Sequence, residues 1–165
     1  MNEIMNKIYI LTGPIRSGKT SALLRWIAEQ KSIGGILTPD INGDRVFQIL
    51  PGNLILPMLA NLEEETMEVG RFRFSKNSFQ KAIQSIYRSL EEKKDWIVID
   101  EIGPLELRGE GFADVLHDMI RNKERDYKIL LVVREGLVEK VMDYFMMDIS
   151  KVEMVGKEDG IFRED

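Results

Sequence analysis

The octapeptide Gly13-Pro-Ile-Arg-Ser-Gly-Lys-Thr20 stands between a β-rich apolar run, Lys7 to Thr12, and a segment that takes up helical spacing from Thr20. It matches G-x-x-x-x-G-K-[ST], a pattern that wraps phosphate when it joins a strand to a helix. Gly13 and Gly18 let the backbone close around an anion with its N–H groups pointing inward, and the positive end of the following helix dipole faces the same point. The expected nucleotide-binding residues are Gly13, Pro14, Ile15, Arg16, Ser17, Gly18, Lys19, Thr20 and Ser21. Lys19 is expected to reach the β and γ phosphates, and the Thr20 hydroxyl to bind Mg²⁺. Arg16 either touches a phosphate or faces solvent.

A chain of 165 residues with 44% apolar and 31% charged residues has the size and balance of one globular domain, here residues 1–165. The formal net charge of −5 argues against a broad basic surface for nucleic acid. With no cysteine and His117 the only histidine, thiolate chemistry, disulfides and multi-His metal sites are excluded. No run approaches the roughly 20 apolar residues of a membrane span. The reading is a soluble, cytoplasmic protein with no membrane partner, expected to be a monomer.

The remaining pattern alternates strands with helices. Leu23, Leu24, Ile27 and Ala28 mark one face of the first helix, which Gly34-Gly35 is expected to stop before a second strand, Ile36 to Thr38. Arg45 to Leu50, Leu54 to Met58 and Val69 to Phe74 read as short strands of an inserted antiparallel section. A long helix follows from Ser78, with Phe79, Ala82, Ile83, Ile86, Tyr87 and Leu90 at helical spacing. Trp96 to Asp100 and Lys128 to Val133 are continuous apolar runs, as in strands covered on both faces of a parallel sheet. Phe112 to Ile120 and Leu137 to Phe145 mark two more helices. The expected fold is α/β, with a mainly parallel sheet flanked by helices and a short antiparallel insertion.

Asp100 and Glu101 close the strand that begins at Trp96, and in a doubly wound sheet such strand ends line the ligand crevice. Asp100 is the candidate Mg²⁺ aspartate, the Walker B residue beside the Walker A loop. Glu101 is the candidate catalytic group that orients or deprotonates water, with Lys19 as the cationic catalytic residue. These types suit phosphoryl transfer, whose transition state spreads negative charge over the transferring group and both flanking oxygens.

Four segments together, GPIRSGKT at Gly13, GGILTP at Gly34, VGRFRF at Val69 and DEIGPLEL at Asp100, resemble the THEP1-type nucleoside triphosphatases over about residues 6–135. The resemblance implies a RecA-like sheet, Mg²⁺ dependence and hydrolysis of ATP, GTP, CTP and UTP with little base preference. It also brings in Thr38 and Arg71 as residues near the phosphates. This chain departs from that pattern in two places. Pro39-Asp-Ile-Asn42 has no arginine where such proteins carry one, and Gly156-Lys-Glu-Asp159 stands in place of a late Asn-Arg-Asp segment.

Other residues carry weaker signals. Arg134, after a strand, is a candidate arginine finger in cis or a solvated charge. His117 reads as a helix-surface or half-buried residue, Glu63-Glu-Glu65 as a solvated loop, and Met142, Met146 and Met147 as core and helix-end packing. Two rival functions are a small phosphotransferase, with the section from Asp44 to Phe74 binding an acceptor, and a non-catalytic NTP-dependent switch.

Overall fold

The computed structural model describes residues 7–13, 19–52 and 54–156. Its centre is a sheet with the strand order β10-β1-β9-β8-β2-β4-β3. Those strands are β1 (Ile8–Leu11), β2 (Ile33–Leu37), β3 (Asp40–Ile41), β4 (Asp44–Leu50), β8 (Trp96–Ile102), β9 (Lys128–Val133) and β10 (Val152–Val155), with β5 (Leu54–Pro57) paired to β4. Neighbours from β10 to β2 run parallel, and β4 turns antiparallel to β2. A separate hairpin joins β6 (Thr66–Val69) to β7 (Phe72–Ser75). The mainly parallel sheet is the one expected, with β9 lying between β1 and β8.

Alternate side chains of the central strands enter two cores. On one face Ile10, Ile97, Ile99, Ile129 and Leu131 pack with residues of α2 (Lys76–Glu91), α4 (Ala113–Arg121) and α5 (Val138–Tyr144). On the other, Tyr9, Leu11, Val98, Leu130 and Val132 pack under α1 (Lys19–Glu29) through Leu23 and Trp26. Coverage on both faces explains why β1 and β9 read as unbroken apolar runs rather than alternating ones. Each such aliphatic side chain, removed wholly from water, contributes about 1.5–3 kcal/mol.

Several boundaries differ from expectation. Gly34 and Gly35 do not stop the first helix; α1 ends at Glu29 and both glycines lie inside β2. They are there because neighbours come close: a Cβ at Gly34 would overlap Ser89 of α2, and one at Gly35 would overlap the backbone of Val98 in β8. The buried face of α1 is Ala22, Leu23 and Trp26, since Trp26 meets the Trp96 ring edge-on at 4.7 Å; Leu24 and Ala28 face outward. Val69 to Phe74 is a hairpin turning at Gly70-Arg71 rather than one strand. The section from Arg45 is antiparallel as expected, and β4 joins the main sheet by pairing with β2. The strand β10 and the short helix α3 (Pro104–Leu107) have no counterpart in the sequence reading. Met142 and Met147 pack inward as expected, whereas Met146 is 71% exposed beyond the end of α5.

Among the described residues no helix is long and apolar enough to cross a membrane.

Candidate active site

Parallel strands bring their carboxyl ends to one edge of the sheet, the usual position of a ligand crevice. Here β1 leads to Gly13, β2 to Thr38, β8 to Asp100 and Glu101, and β9 to Arg134. Gly13, Thr38, Glu101 and Arg134 line one cavity of about 680 Å³, which also takes in Arg45 from β4 and Arg71 from the hairpin turn. The strand order thus gathers residues up to 121 positions apart (Gly13 to Arg134).

Pro14, Ile15, Arg16, Ser17 and Gly18 lie outside the described residues, as do the side chains of Lys19 and Thr20. Around them, Gly13 has φ of 151°, a value glycine adopts without strain, and the backbone of Lys19 and Thr20 opens α1. Ser21 follows as an exposed residue of that helix.

Asp100 is 8% exposed and accepts the Thr38 N–H at 3.4 Å. Burial, followed by repulsion from Glu101, pushes its carboxyl up to about 6, while Thr38 and Arg45 act in the opposite direction. A buried carboxylate with so little compensation favours a cation beside it. Between Asp100 and Ile102 the pairing with β9 shifts register, and there Glu101 faces the cavity, half-buried. No group of three or more His, Cys, Asp or Glu side chains able to hold a metal occurs among the described residues.

The turn after Glu101 is held by Glu106. This side chain is 3% exposed and accepts the N–H of Gly103 at 2.8 Å and the N–H of Phe112 at 3.1 Å. It therefore ties the end of β8 to the start of α4. Gly111 is required beside it, since a Cβ there would collide with the Glu106 carboxylate, and its φ of 61° is left-handed.

The hairpin β6–β7 forms the outer wall. Arg108 anchors it by donating to the Glu68 carbonyl while pairing with Glu110 at 2.9 Å. Arg71 at its turn lies 5.2 Å from the centre of the Phe72 ring.

Sequence reasoning missed Arg45 and Glu106. The sequence marks Arg45 only as the start of a strand; it lies in β4, where β3 folds back with Asp40 opposite Arg45, and it lines the cavity. For Glu106 a signal did exist: Pro104 at the first helical position with an acidic residue in the first turn marks a helix start. Of the weaker candidates, Thr38, Arg71 and Arg134 reach the cavity, whereas His117 packs on the rings of Tyr144 and Phe145, away from it. In the Glu63-Glu-Glu65 loop, Glu64 accepts from the Ser75 hydroxyl at 2.7 Å, a structural role. Of the Gly156 to Asp159 segment, all but Gly156 lies outside the described residues.

A family model described as NTPase matches residues 8–158. The nucleoside-triphosphatase THEP1 of Methanothermobacter thermautotrophicus is 33% identical over 122 residues, covering 67% of this chain and 68% of that protein. THEP1 of Methanopyrus kandleri is 30% identical over 117 residues, covering 65% of this chain and 63% of that protein, so here the chain spans less than two thirds of its relative. Among solved structures, THEP1 from the hyperthermophile Aquifex aeolicus superposes with a TM-score of 0.68 at 16% identity, over 90% of this chain and 88% of that one, a likeness of fold. With a family model matched along nearly its whole length and the cavity at the carboxyl ends of its parallel strands, this chain belongs to the NTPase family.

Proposed function

We propose that the protein hydrolyses nucleoside 5′-triphosphates to the diphosphate and phosphate in a Mg²⁺-dependent reaction with low base specificity, the whole chain 1–165 acting as one catalytic unit. The observation that carries this reading is the pair at the end of β8. There a buried Asp100, held by Thr38, adjoins Glu101, which faces the cavity that Gly13 also lines.

In this reading the backbone N–H groups between Gly13 and Ser21, other than at Pro14, which has none, hold the triphosphate, with Lys19 on its β and γ groups. Thr20 and Asp100 would hold Mg²⁺, which when bound would supply charge neutralisation to the phosphates. Thr38 keeps Asp100 in place through its N–H. Glu101 orients a water in line with the γ-phosphorus and takes its proton as the oxygen attacks; the bond to the β–γ bridging oxygen breaks and the diphosphate leaves. Arg71 and Arg134, which have no carboxylate within ion-pair distance among the described residues, face the charge that develops on the transferring group. Low base specificity is carried into this reading from the resemblance to the THEP1-type nucleoside triphosphatases.

The test is phosphate release from ATP, GTP, CTP and UTP with Mg²⁺, comparing the intact protein with Glu101→Gln. The variant is expected to keep nucleotide binding and to lose activity by about 10²-fold or more, the usual share of a positioned general base. If Glu101→Gln hydrolyses at the parental rate, the assignment of Glu101 is wrong. If the intact protein binds NTP yet releases no phosphate with any of the four, the hydrolase reading fails.

A further inference from the structure

The β6–β7 hairpin stands apart from the main sheet, so the place of its turn depends on what fastens it to the rest of the molecule. A two-stranded hairpin has little stability of its own in water. The outer side of β7 is fastened by main chain: the Ser75 N–H donates to the Met58 carbonyl at 2.9 Å, and the Ala60 N–H to the Arg73 carbonyl at 2.8 Å. On its outer side β6 has no strand. Met67 and Val69 rest against the core, but apolar contact is non-directional and fixes no single position along a surface.

A directional contact to β6 comes from Arg108. Its guanidinium donates to the Glu68 carbonyl, three residues before Arg71. Glu110 holds the same guanidinium, one carboxyl oxygen accepting from Nε at 3.1 Å and from Nη2 at 2.9 Å, which restrains it from turning away. Arg108 also stands on a fixed base. It directly follows α3, and the stretch from Gly103 to Phe112 is closed at both ends by the buried carboxyl of Glu106. That stretch begins two residues after Glu101. A chain of bonded groups thus runs from the end of β8 through Glu106 and Arg108 to Glu68, with Glu101 at one end and Arg71 at the other, both lining the cavity.

We propose that Arg108 is a positioning residue for hydrolysis: through Glu68 it fixes the hairpin turn, and so holds Arg71 at its distance from the transferring phosphoryl group. The proposal rests on the reading of Arg71 and Glu101 given above. A cation that stabilises a transition state acts only from the right place, and a displacement of about 1 Å can cost ~10²-fold in rate. The Arg108 side chain is 45% exposed, where an ion pair adds little to stability, so its effect belongs to turnover rather than to folding.

The experiment is a double-mutant cycle in phosphate release by the full chain with Mg²⁺ and ATP, using the parent, Arg71→Ala, Arg108→Ala and the double variant. Arg71→Ala is expected to lower kcat by about 10²-fold. Arg108→Ala is expected to lower kcat roughly tenfold, with KM within about twofold and Tm within about 2 °C of the parent, and to lower it less than about twofold further once Arg71 is gone. Should Arg108→Ala not fold, Glu110→Ala, which releases the guanidinium, takes its place in the same cycle with a smaller loss expected. Losses that multiply independently would overturn the proposal, since Arg108 would then act without Arg71. A parental kcat in Arg108→Ala, or a raised KM at unchanged kcat, would overturn it too, with the role of Arg71 left standing. If instead Arg71→Ala turns over at the parental rate, the role given to Arg71 is wrong and the proposal fails with it. No phosphate release by the parent would overturn the hydrolase reading itself.

Discussion

Glu106 is a carboxylate with its charge buried, and its two backbone donors only partly offset the loss of water. Burial pushes it up to about 7 from an ordinary 4.5, against the lowering effect of the Gly103 and Phe112 N–H groups. The folded protein therefore holds this proton more tightly than the unfolded chain. The associated stability is complete below about pH 4.5 and is lost as the pH rises through about 7. Over that window the carboxyl accounts for about 3 kcal/mol, at ~1.4 kcal/mol per pH unit. Urea unfolding of Glu106→Gln between pH 5 and 8 is expected to lack this share of the slope seen in the parent. An unchanged slope would show that Glu106 is ionised at no cost. Glu106, held by the N–H groups of Gly103 and Phe112 and repelled by Glu101, shapes the turn after Glu101.

The elements that carry these residues depend on two close junctions. At the first, β2 runs against β8 with Gly35 at φ of 120° and no room for a Cβ beside Val98. Gly35→Ala combines backbone strain with a clash against main chain, which cannot move aside as a flexible side chain would. It is expected to cost at least about 3 kcal/mol, read as a lowered urea midpoint or failure to accumulate folded protein. At the second, Ser75 ends β7 and caps α2, its hydroxyl accepting the Ser78 N–H at 3.1 Å and donating to Glu64. Ser75→Ala is expected to destabilise by about 1 kcal/mol. For a protein of this length that is a fall in Tm of roughly 2–4 °C, measurable by scanning calorimetry. A change within error would mean that water replaces the cap. The helix from Ser78 was legible because its apolar spacing persists over four turns. The glycines of β2 misled because Gly-Gly commonly ends a helix, and the reason for them here lies in α2 and β8, more than fifty residues later.

On the scale of the whole molecule, the proposed nucleotide site links ligand binding to folding, because Gly13, Thr38, Asp100, Glu101 and Arg134 come together only when β1, β2, β8 and β9 are aligned. Mg²⁺ with NTP at about 100 times its dissociation constant is expected to stabilise the fold by ~2.7 kcal/mol, a rise in Tm of roughly 5–10 °C. Lys19→Ala is expected to abolish that rise while leaving the Tm of the free protein unchanged within about 2 °C. An equal rise in the variant would remove Lys19 from the nucleotide site. Much of this architecture could be read along the chain. The strand–loop–helix unit at Gly13, the apolar runs at Trp96 and Lys128 and the helical spacing after Ser78 are local patterns, set by side-chain periodicity and backbone preference, and they determined an α/β fold with a mainly parallel sheet. What lay beyond local pattern was decided by tertiary structure: the lateral order that puts β9 between β1 and β8, the joining of β4 to the main sheet, the depth of Glu106, and the arrival of Arg45 and Phe72 at the cavity. Pairing partners and burial depend on surfaces brought together from distant parts of the chain, and periodicity within one segment carries no record of which distant segment will meet it.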